Sequence, residues 1–464
     1  MQASEKIMQL ILAFQDCGPS EIDSCFSSIV DQYPHLSTED KKESAQALHS
    51  WAVENKTAQL LKYPYSKFLL MVYGFFTEDY QGALSAGVEA QKQFEEQNNH
   101  DGIAICSVLK GGIFRTLGNF EIALQYLWEG CEQLGKSGKY MHYQLAGLFQ
   151  IAGIYSELKN FEESIQLFQK LHDLSVSQNN SNWICNALQG LGRMYLIQKK
   201  YPEAKQALDE ALRYAQKLNP MLISVSLTEL ANYYSETGND PESERLNRQA
   251  LDIRLNNKLI GGAITNSLQL AAIHLKRKEW DQAIAFLEQG LALAEQINVK
   301  PKLCQLHSML SDVYREKNDL EKSLFHYKQF HRLREEVDHE QSVNKIKNLK
   351  IIFEAEQTRK ENIIIKKQKA EIEKKNIELQ ETIDELTRTR VGKRAKVFTL
   401  VIGITLFVLE ELLFDPVLHL VPQENIFLSL SAKTLIVFSL KPIDSAIEHY
   451  LLKKIIRKNK VVRV

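Results

Sequence analysis

Apolar residues fall three or four apart along most of the chain, and the clearest stretch places Leu188, Leu191 and Tyr195 on one helical face. A polar break at Lys199 to Tyr201 follows, and then Ala204, Leu208 and Ala211 form a second stripe. The pattern predicts two helices joined by a turn, with small residues at Gly192 and Ala204 letting the pair approach closely. A small residue recurs at the place of Ala204: Ala83, Ala123, Ser164, Ala204, Ser243, Ala283 and Ser323, with gaps of 40, 41, 40, 39, 40 and 40. Self-similarity at such a period marks a solenoid, in which each unit buries its apolar face only against the next.

Other copies read Gly111, Phe114, Asn119, Phe120, Ala123; Ile151, Ala152, Tyr155, Asn160, Phe161, Ser164, Phe168; and Leu230, Ala231, Tyr234, Ser243, Ala250. Two more read Leu270, Ala271, Trp280, Ala283, Leu287 and Leu310, Ser311, Tyr314, Ser323, Tyr327, and a degraded first copy holds Leu70, Met71 and Ala83. The pattern resembles the tetratricopeptide repeat, with a Leu-Gly-x-x-Tyr core on its first helix and small-x-x-x-large-x-x-small on its second. The expected fold is therefore all-α: a solenoid of about seven helix-turn-helix repeats over residues 63–340. A period near 40, against the usual 34 or so, implies longer helices, as in bacterial peptide-sensing regulators of this family.

Residues 1–62 follow the repeat poorly but show helical periodicity at Ile22, Phe26, Ile29, Ala45, Leu48 and Trp51, which predicts a helical cap. The start of the chain has only a short apolar run, Met8 to Phe14, behind Glu5 and Lys6, which predicts no signal peptide and a cytosolic solenoid. A formal net charge of -1 argues against a nucleic-acid partner, since no basic excess exists to displace counterions from phosphate. The six cysteines, Cys17, Cys25, Cys106, Cys131, Cys185 and Cys304, contain no C-x-x-C pair and read as reduced core residues.

Composition changes after the last repeat. Residues 341–390 lack Gly and Pro and are dense in Lys, Glu, Gln and Asn, which predicts one long helix. Ile365, Ile372, Leu379 and Leu386 recur every seven residues, with Lys369, Asn376 and Ile383 between them. Such a heptad seam with a polar Asn376 predicts a coiled coil and a parallel homodimer; a single charged helix lying along the solenoid is the alternative. Residues 391–464 read as a membrane hairpin: Arg388, Arg390, Lys393, Arg394 and Lys396 precede the apolar run Val397–Leu409, and Ile426–Leu440 precedes a second basic flank. The positive-inside rule then places both flanks in the cytoplasm, and the expected location is the inner membrane of the cell. Each run is shorter than a full span, and Glu410, Glu411 and Lys433 are intramembrane polar candidates, with one helix-to-helix ion pair among them.

Gly130, Gly135, Lys136 and Ser137 fit the letters of a phosphate-binding loop, but the repeat frame puts them at the end of a helix rather than between a strand and a helix. His326, His331 and His339 fall on different helical faces and read as surface residues. No catalytic pattern, cofactor or metal site is expected, and the chain reads as a non-enzyme.

The resemblance implies a concave groove lined by first-helix side chains. Carried onto this chain, that frame selects Asn186, Gln189, Arg193, Thr228, Asn232, Gln305 and Asp312, with Arg115 just outside it. Amide side chains there suit a peptide or protein ligand, since each offers a donor and an acceptor to peptide backbone. The order of parts is similar to the sensor half of bacterial tetratricopeptide histidine kinases, without an output domain. The expected function is a membrane-anchored scaffold or sensor that binds a peptide or protein and relays that state through the coiled coil. The alternative is a repeat-controlled effector whose hairpin oligomerises and perturbs the bilayer.

Overall fold

The computed structural model describes residues 64–413 and 440–451, with isolated positions around the second stretch. The predicted cap at 1–62, Cys17, Cys25 and Lys433 lie outside the described residues. Helices come in pairs: α1 (Pro64–Phe76) with α2 (Tyr80–Glu96), α3 (His100–Thr116) with α4 (Phe120–Ser137), and α5 (Met141–Glu157) with α6 (Phe161–Ser177). They continue as α7 (Ser181–Ile197) with α8 (Tyr201–Ala215), α9 (Pro220–Glu236) with α10 (Asp240–Asn256), and α11 (Ile260–Lys276) with α12 (Trp280–Gln296). The seventh pair is α13 (Lys300–Glu316) with α14 (Leu320–Leu413).

The period follows from the local parts. Nearly every helix is 17 residues long, and a three-residue turn follows it. Each such turn holds a left-handed residue: Glu78, Asn98, Gly118, Lys159, Asn179, Lys199, Gly238, Lys258, Lys278, Asn298 and Asn318. The next residue serves both neighbours. The Asn99 N–H donates back to the Phe94 carbonyl at 2.8 Å, closing one helix, while its side chain accepts from the Gly102 N–H at 2.9 Å, opening the next. Asn119, Asn180, Asn219 and Asn239 cap their helices in the same way. Two such units make the repeat of 40, so both turns of a repeat are alike.

The two odd gaps have local causes. The gap of 41 spans α4, which has 18 residues and ends on left-handed Gly138. The gap of 39 spans α8, with 15 residues, where Asn219 is extended because Pro220 follows it. A left-handed lysine is strained, because its Cβ crowds the following carbonyl. Lys199 is exposed, so Lys199→Asn is expected to raise stability by about 0.5–1 kcal/mol, read as a higher denaturation midpoint at unchanged slope.

The small residues sit where the paired helices touch. Ala83, Ala123, Ser164, Ala204, Ser243 and Ala283 are buried, and the Ser164 hydroxyl donates to the Ala152 carbonyl at 2.9 Å. A Cβ on Gly192 would run into Leu208, and one on Gly111 into Leu127, so these glycines are set by closeness of approach. First helices of successive repeats also pack on one another, α3 on α5, α5 on α7 and α7 on α9, more closely than second helices do. The stack therefore curls toward its first helices, which line the inner face.

Residues up to Glu356 form one compact unit and those from Gln357 a second. One helix, α14, supplies the second helix of the last repeat, the charged heptad stretch and the first apolar run. In the second unit, Val391, Ala395 and Thr399 are buried, and the Thr399 hydroxyl donates to Asp444 at 3.0 Å.

The inner-membrane location, and with it the inside placement of both flanks, is overturned, and the hairpin finds no support; most of its second run, residues 426–440, lies outside the described residues. Among the described residues no helix is long and apolar enough to cross a membrane. The run from Val397 stops at Glu410 and Glu411, short of the roughly 20 apolar residues a span requires. Glu411 is exposed, and the expected ion pair to Lys433 falls outside the described residues.

Candidate functional site

On the three first helices α7, α9 and α11, polar residues at two repeating positions come to face one another across neighbouring helices. Positions that recur at the repeat spacing read Gly112, Gly153, Arg193, Asn232, Ala272 and Asp312, and the positions that face them read Gln150, Gly190, Glu229, Gln269 and Met309. In the central repeats these become cross-helix rungs. Arg193 donates to Glu229 through Nε at 3.0 Å and Nη2 at 2.7 Å, and the Gln269 amide donates to Asn232 Oδ1 at 2.7 Å. Glu229 is 12% exposed against 53% for Arg193, so the carboxylate is the buried member of the pair and the guanidinium the one that reaches solvent.

A second pair of rungs lies deeper. Gln189 is buried and donates to the Ser226 hydroxyl at 2.8 Å, and Thr228 is buried and accepts from Asn266 at 3.2 Å. Both therefore join repeats to each other and offer nothing to a ligand. Asn186 differs from them: it is half-buried and makes no side-chain hydrogen bond among the described residues. Gln305 and Asp312 are exposed, each beside a basic neighbour, with Asp312 paired to Arg315 at 2.9 Å and Gln305 accepting from Lys302 at 3.4 Å. Arg115 is paired to Glu157 at 2.6 Å, two repeats away from Arg193. The structure thus groups Asn186, Arg193 and Asn232 on adjacent first helices and leaves Arg115, Gln305 and Asp312 toward the two ends.

The sequence frame missed a buried polar cluster at the junction of the fifth and sixth repeats. Arg254 is 7% exposed; its Nε donates to the Ser224 hydroxyl at 3.2 Å, and its Nη1 donates to the Gly262 carbonyl at 2.8 Å and to Asn266 Oδ1 at 2.5 Å. Asn266, fully buried, also donates to Asn247 at 2.8 Å. Burial pushes the Arg254 guanidinium below its ordinary range, opposed by the Glu229 charge nearby. The signal was present in the sequence: Arg254 occupies the place held elsewhere by Phe94, Leu134, Ser175, Ala215 and Ala294, and Asn247 the place of Leu127, Phe168, Leu208 and Leu287. The apolar core is accordingly broken there, with Leu227, Leu230 and Leu246 in one cluster and Leu251, Ala263 and Leu270 in the next.

His326 also departs from expectation. It is buried, with Nδ1 2.9 Å from that of His307, and its ring stacks on Tyr314, whereas His331 and His339 are exposed. Burial pushes His307 down to about 4, assisted by the charges of His326 and Arg332. His326 is pushed down by burial too, with Glu288 and Lys322 acting in opposite directions. Burial thus disfavours the protonated form of both rings in the fold, and the unfolded chain takes up the proton first. Stability contributed by neutral His307 is complete above about pH 6.5 and falls as the pH drops toward 4, by about 2 kcal/mol at pH 5, and His326 adds a loss of the same sign. Thermal melts across that range should show the loss, and His307→Gln should remove most of the slope.

Other chemistry is limited. Burial pushes the thiols of Cys106 and Cys131 up to about 12 and that of Cys185 to about 11, which leaves them protonated and inert. Gly130 and Gly135 lie within α4, and a Cβ on Gly130 would meet the Ala104 carbonyl, so these glycines serve helix packing. Among the described residues no group of three or more His, Cys, Asp or Glu could hold a metal ion.

Comparison with known proteins gives a consistent picture. The tetratricopeptide repeat family matches residues 143–217 and 263–336, and a second profile of the same description matches 224–256. No curated protein matches the sequence. Among solved structures, the chain is similar to the apo form of the quorum sensor NprR from B. thuringiensis, with a TM-score of 0.51 and 15% identity, over 70% of this chain and 92% of that one. It is similar also to a signal transduction ATPase with a tetratricopeptide repeat sensor from Pyrococcus horikoshii, with a TM-score of 0.50 and 15% identity, over 73% of this chain and 54% of that one. At these identities the likeness is one of fold.

Proposed function

We propose, from the premise that the chain is a tetratricopeptide repeat protein, that its inner face along α7, α9 and α11 binds an extended segment of a peptide or protein partner. The observation that carries this reading is Asn186, a half-buried amide with no side-chain hydrogen bond among the described residues, about two helical turns before Arg193 on the same helix and next to the Asn232 rung. A free amide can accept from one backbone N–H and donate to the next carbonyl, which holds a peptide without dictating its side chains. Arg193 adds a cation whose present partner, Glu229, keeps it extended and aimed. NprR, a quorum sensor by its description, shares the fold, which supports a sensing role here by analogy. Selection of peptides from a random library on the intact protein tests the reading: enriched peptides should lose affinity for an Asn186→Ala/Arg193→Ala/Asn232→Ala variant.

The relay part of the reading rests on α14. Ile365, Ile372, Leu379 and Leu386 are 49%, 58%, 58% and 64% exposed, an apolar seam at heptad spacing that no described residue covers. A parallel pair of chains covers it, with Asn376 setting the register. Sedimentation should find a dimer that Ile372→Lys/Leu379→Lys converts to monomer, and a monomeric wild type would end the relay reading.

A further inference from the structure

The seventh repeat holds the start of α14 firmly. Leu333 is buried, the Ser311 hydroxyl donates to the Ser323 carbonyl at 3.1 Å, and Lys300 pairs with Glu336 at 3.0 Å and Glu340 at 2.5 Å. From 341 to 350 the helix is then exposed apart from half-buried Asn348. Burial resumes at Ile351, which is 4% exposed and belongs to the apolar cluster of the first four repeats, with Ile352 and Ala355 packed against the same cluster. At this point Gln81, in the first turn of α2, donates to Glu354 at 2.9 Å. A helix that leaves the last repeat thus crosses open solvent and lands on the first.

We propose that this stretch of α14 is a strap that fixes the span between the first and seventh repeats and thereby regulates access of the partner to the inner face. A helix is a rod, and Leu333 to Ile351 fixes about 27 Å at 1.5 Å per residue. The repeats between those two anchors cannot change curvature without bending the rod or lifting Ile351 off its seat. The partner-binding helices α7, α9 and α11 lie within the strapped arc. So does the junction at Arg254 and Asn266, where the apolar core is interrupted and adjustment between repeats disturbs the least apolar packing. On α14 the landing contact falls on Ile351, Ile352, Glu354 and Ala355, one short stretch that can lift as a unit. With the strap seated the arc is held at one curvature; a partner that requires another curvature binds only after the strap lifts, and its binding favours the lifted state by the same factor.

The inference rests on the inner face being the partner site, and the test separates the two. Gln81→Cys/Glu354→Cys is placed in full-length protein whose Cys17, Cys25 and Cys304 are serine, and a short cleavable bis-maleimide bridges the pair. The probe is the pool of peptides enriched from a random library on the unbridged protein. Bridging should be efficient, should fall roughly tenfold when Ile351→Asp lifts the strap, and should weaken peptide binding roughly fivefold or more until the bridge is cleaved. Bridging no faster than in a Gln81→Cys/Lys347→Cys control overturns the strap, and bridging that leaves peptide affinity unchanged overturns its regulatory role. In either case the Asn186→Ala/Arg193→Ala/Asn232→Ala result still decides separately whether the inner face is the site.

Discussion

Asn266→Leu is expected to lower the stability of the solenoid by about 3 kcal/mol, since it strips a buried guanidinium of a close acceptor. Leucine keeps the branched shape and heavy-atom count of asparagine, so no cavity opens and the main loss is one of hydrogen bonding. Asn266 is fully buried and serves Arg254, Thr228 and Asn247 at once. The change leaves Arg254 with only the Ser224 hydroxyl and the Gly262 carbonyl, both neutral. The compensating change sharpens the prediction: Asn266→Leu/Arg254→Met should recover most of the loss, since a buried polar group replaced together with its partner costs little. Chemical denaturation of the two variants reads both numbers. A double variant no more stable than Asn266→Leu alone would mean that the cluster is held by its packing and not by the charge.

The second large effect is on binding. Asn186→Ala/Arg193→Ala/Asn232→Ala should weaken the affinity of a selected peptide by about 1000-fold, the sum of two amide contacts near 1 kcal/mol and one charged contact near 2. The fold should survive, because Asn186 makes no side-chain hydrogen bond among the described residues, the Arg193–Glu229 pair is exposed on one side, and the Asn232–Gln269 rung is one half-buried amide bond worth about 1 kcal/mol. Such a half-exposed pair contributes little to stability. Gln189→Ala provides the contrast. Its amide is committed to Ser226, so that variant should lose stability before it loses specific contacts.

The architecture was legible because it repeats. One small residue per repeat, at positions such as Ala123, Ser164 and Ala204, carried the period, and even the gaps of 41 and 39 reported real local events at Gly138 and Pro220. The inner face was half legible. Asn186 and Arg193 are near neighbours on one helix, but so is Gln189, and a turn of a fraction of a helical step separates a residue that faces the groove from one wedged between repeats. No single repeat shows which is which, since the rungs join residues 36 to 38 apart on different helices. Arg254 and Asn247 were in view as the polar members of apolar columns, and only the comparison of columns, not of rows, exposes them. His326 was misjudged for a related reason: its neighbours in sequence are exposed, and the ring that buries it, His307, belongs to the preceding helix.

The apolar run at Val397 misled in a different way. Basic residues before an apolar helix satisfy the charge rule for a membrane flank, yet the rule presumes a span of sufficient length. Here the helix is one continuous element from Leu320, whose buried positions Val391, Ala395 and Thr399 precede and overlap the run. Small and polar residues packed at that point serve helix pairing, as the bond from Thr399 to Asp444 shows.

The measurement that bears most directly on the central claim is site-specific photo-crosslinking in the protein's own cells. A photoreactive side chain is placed at Asn186 on the inner face or at exposed Glu203 on the second helix of the same repeat. Partner adducts from position 186 and none from position 203 are the predicted result. Adducts from position 203 with none from position 186 would place the partner on the outer side of the solenoid and contradict the account.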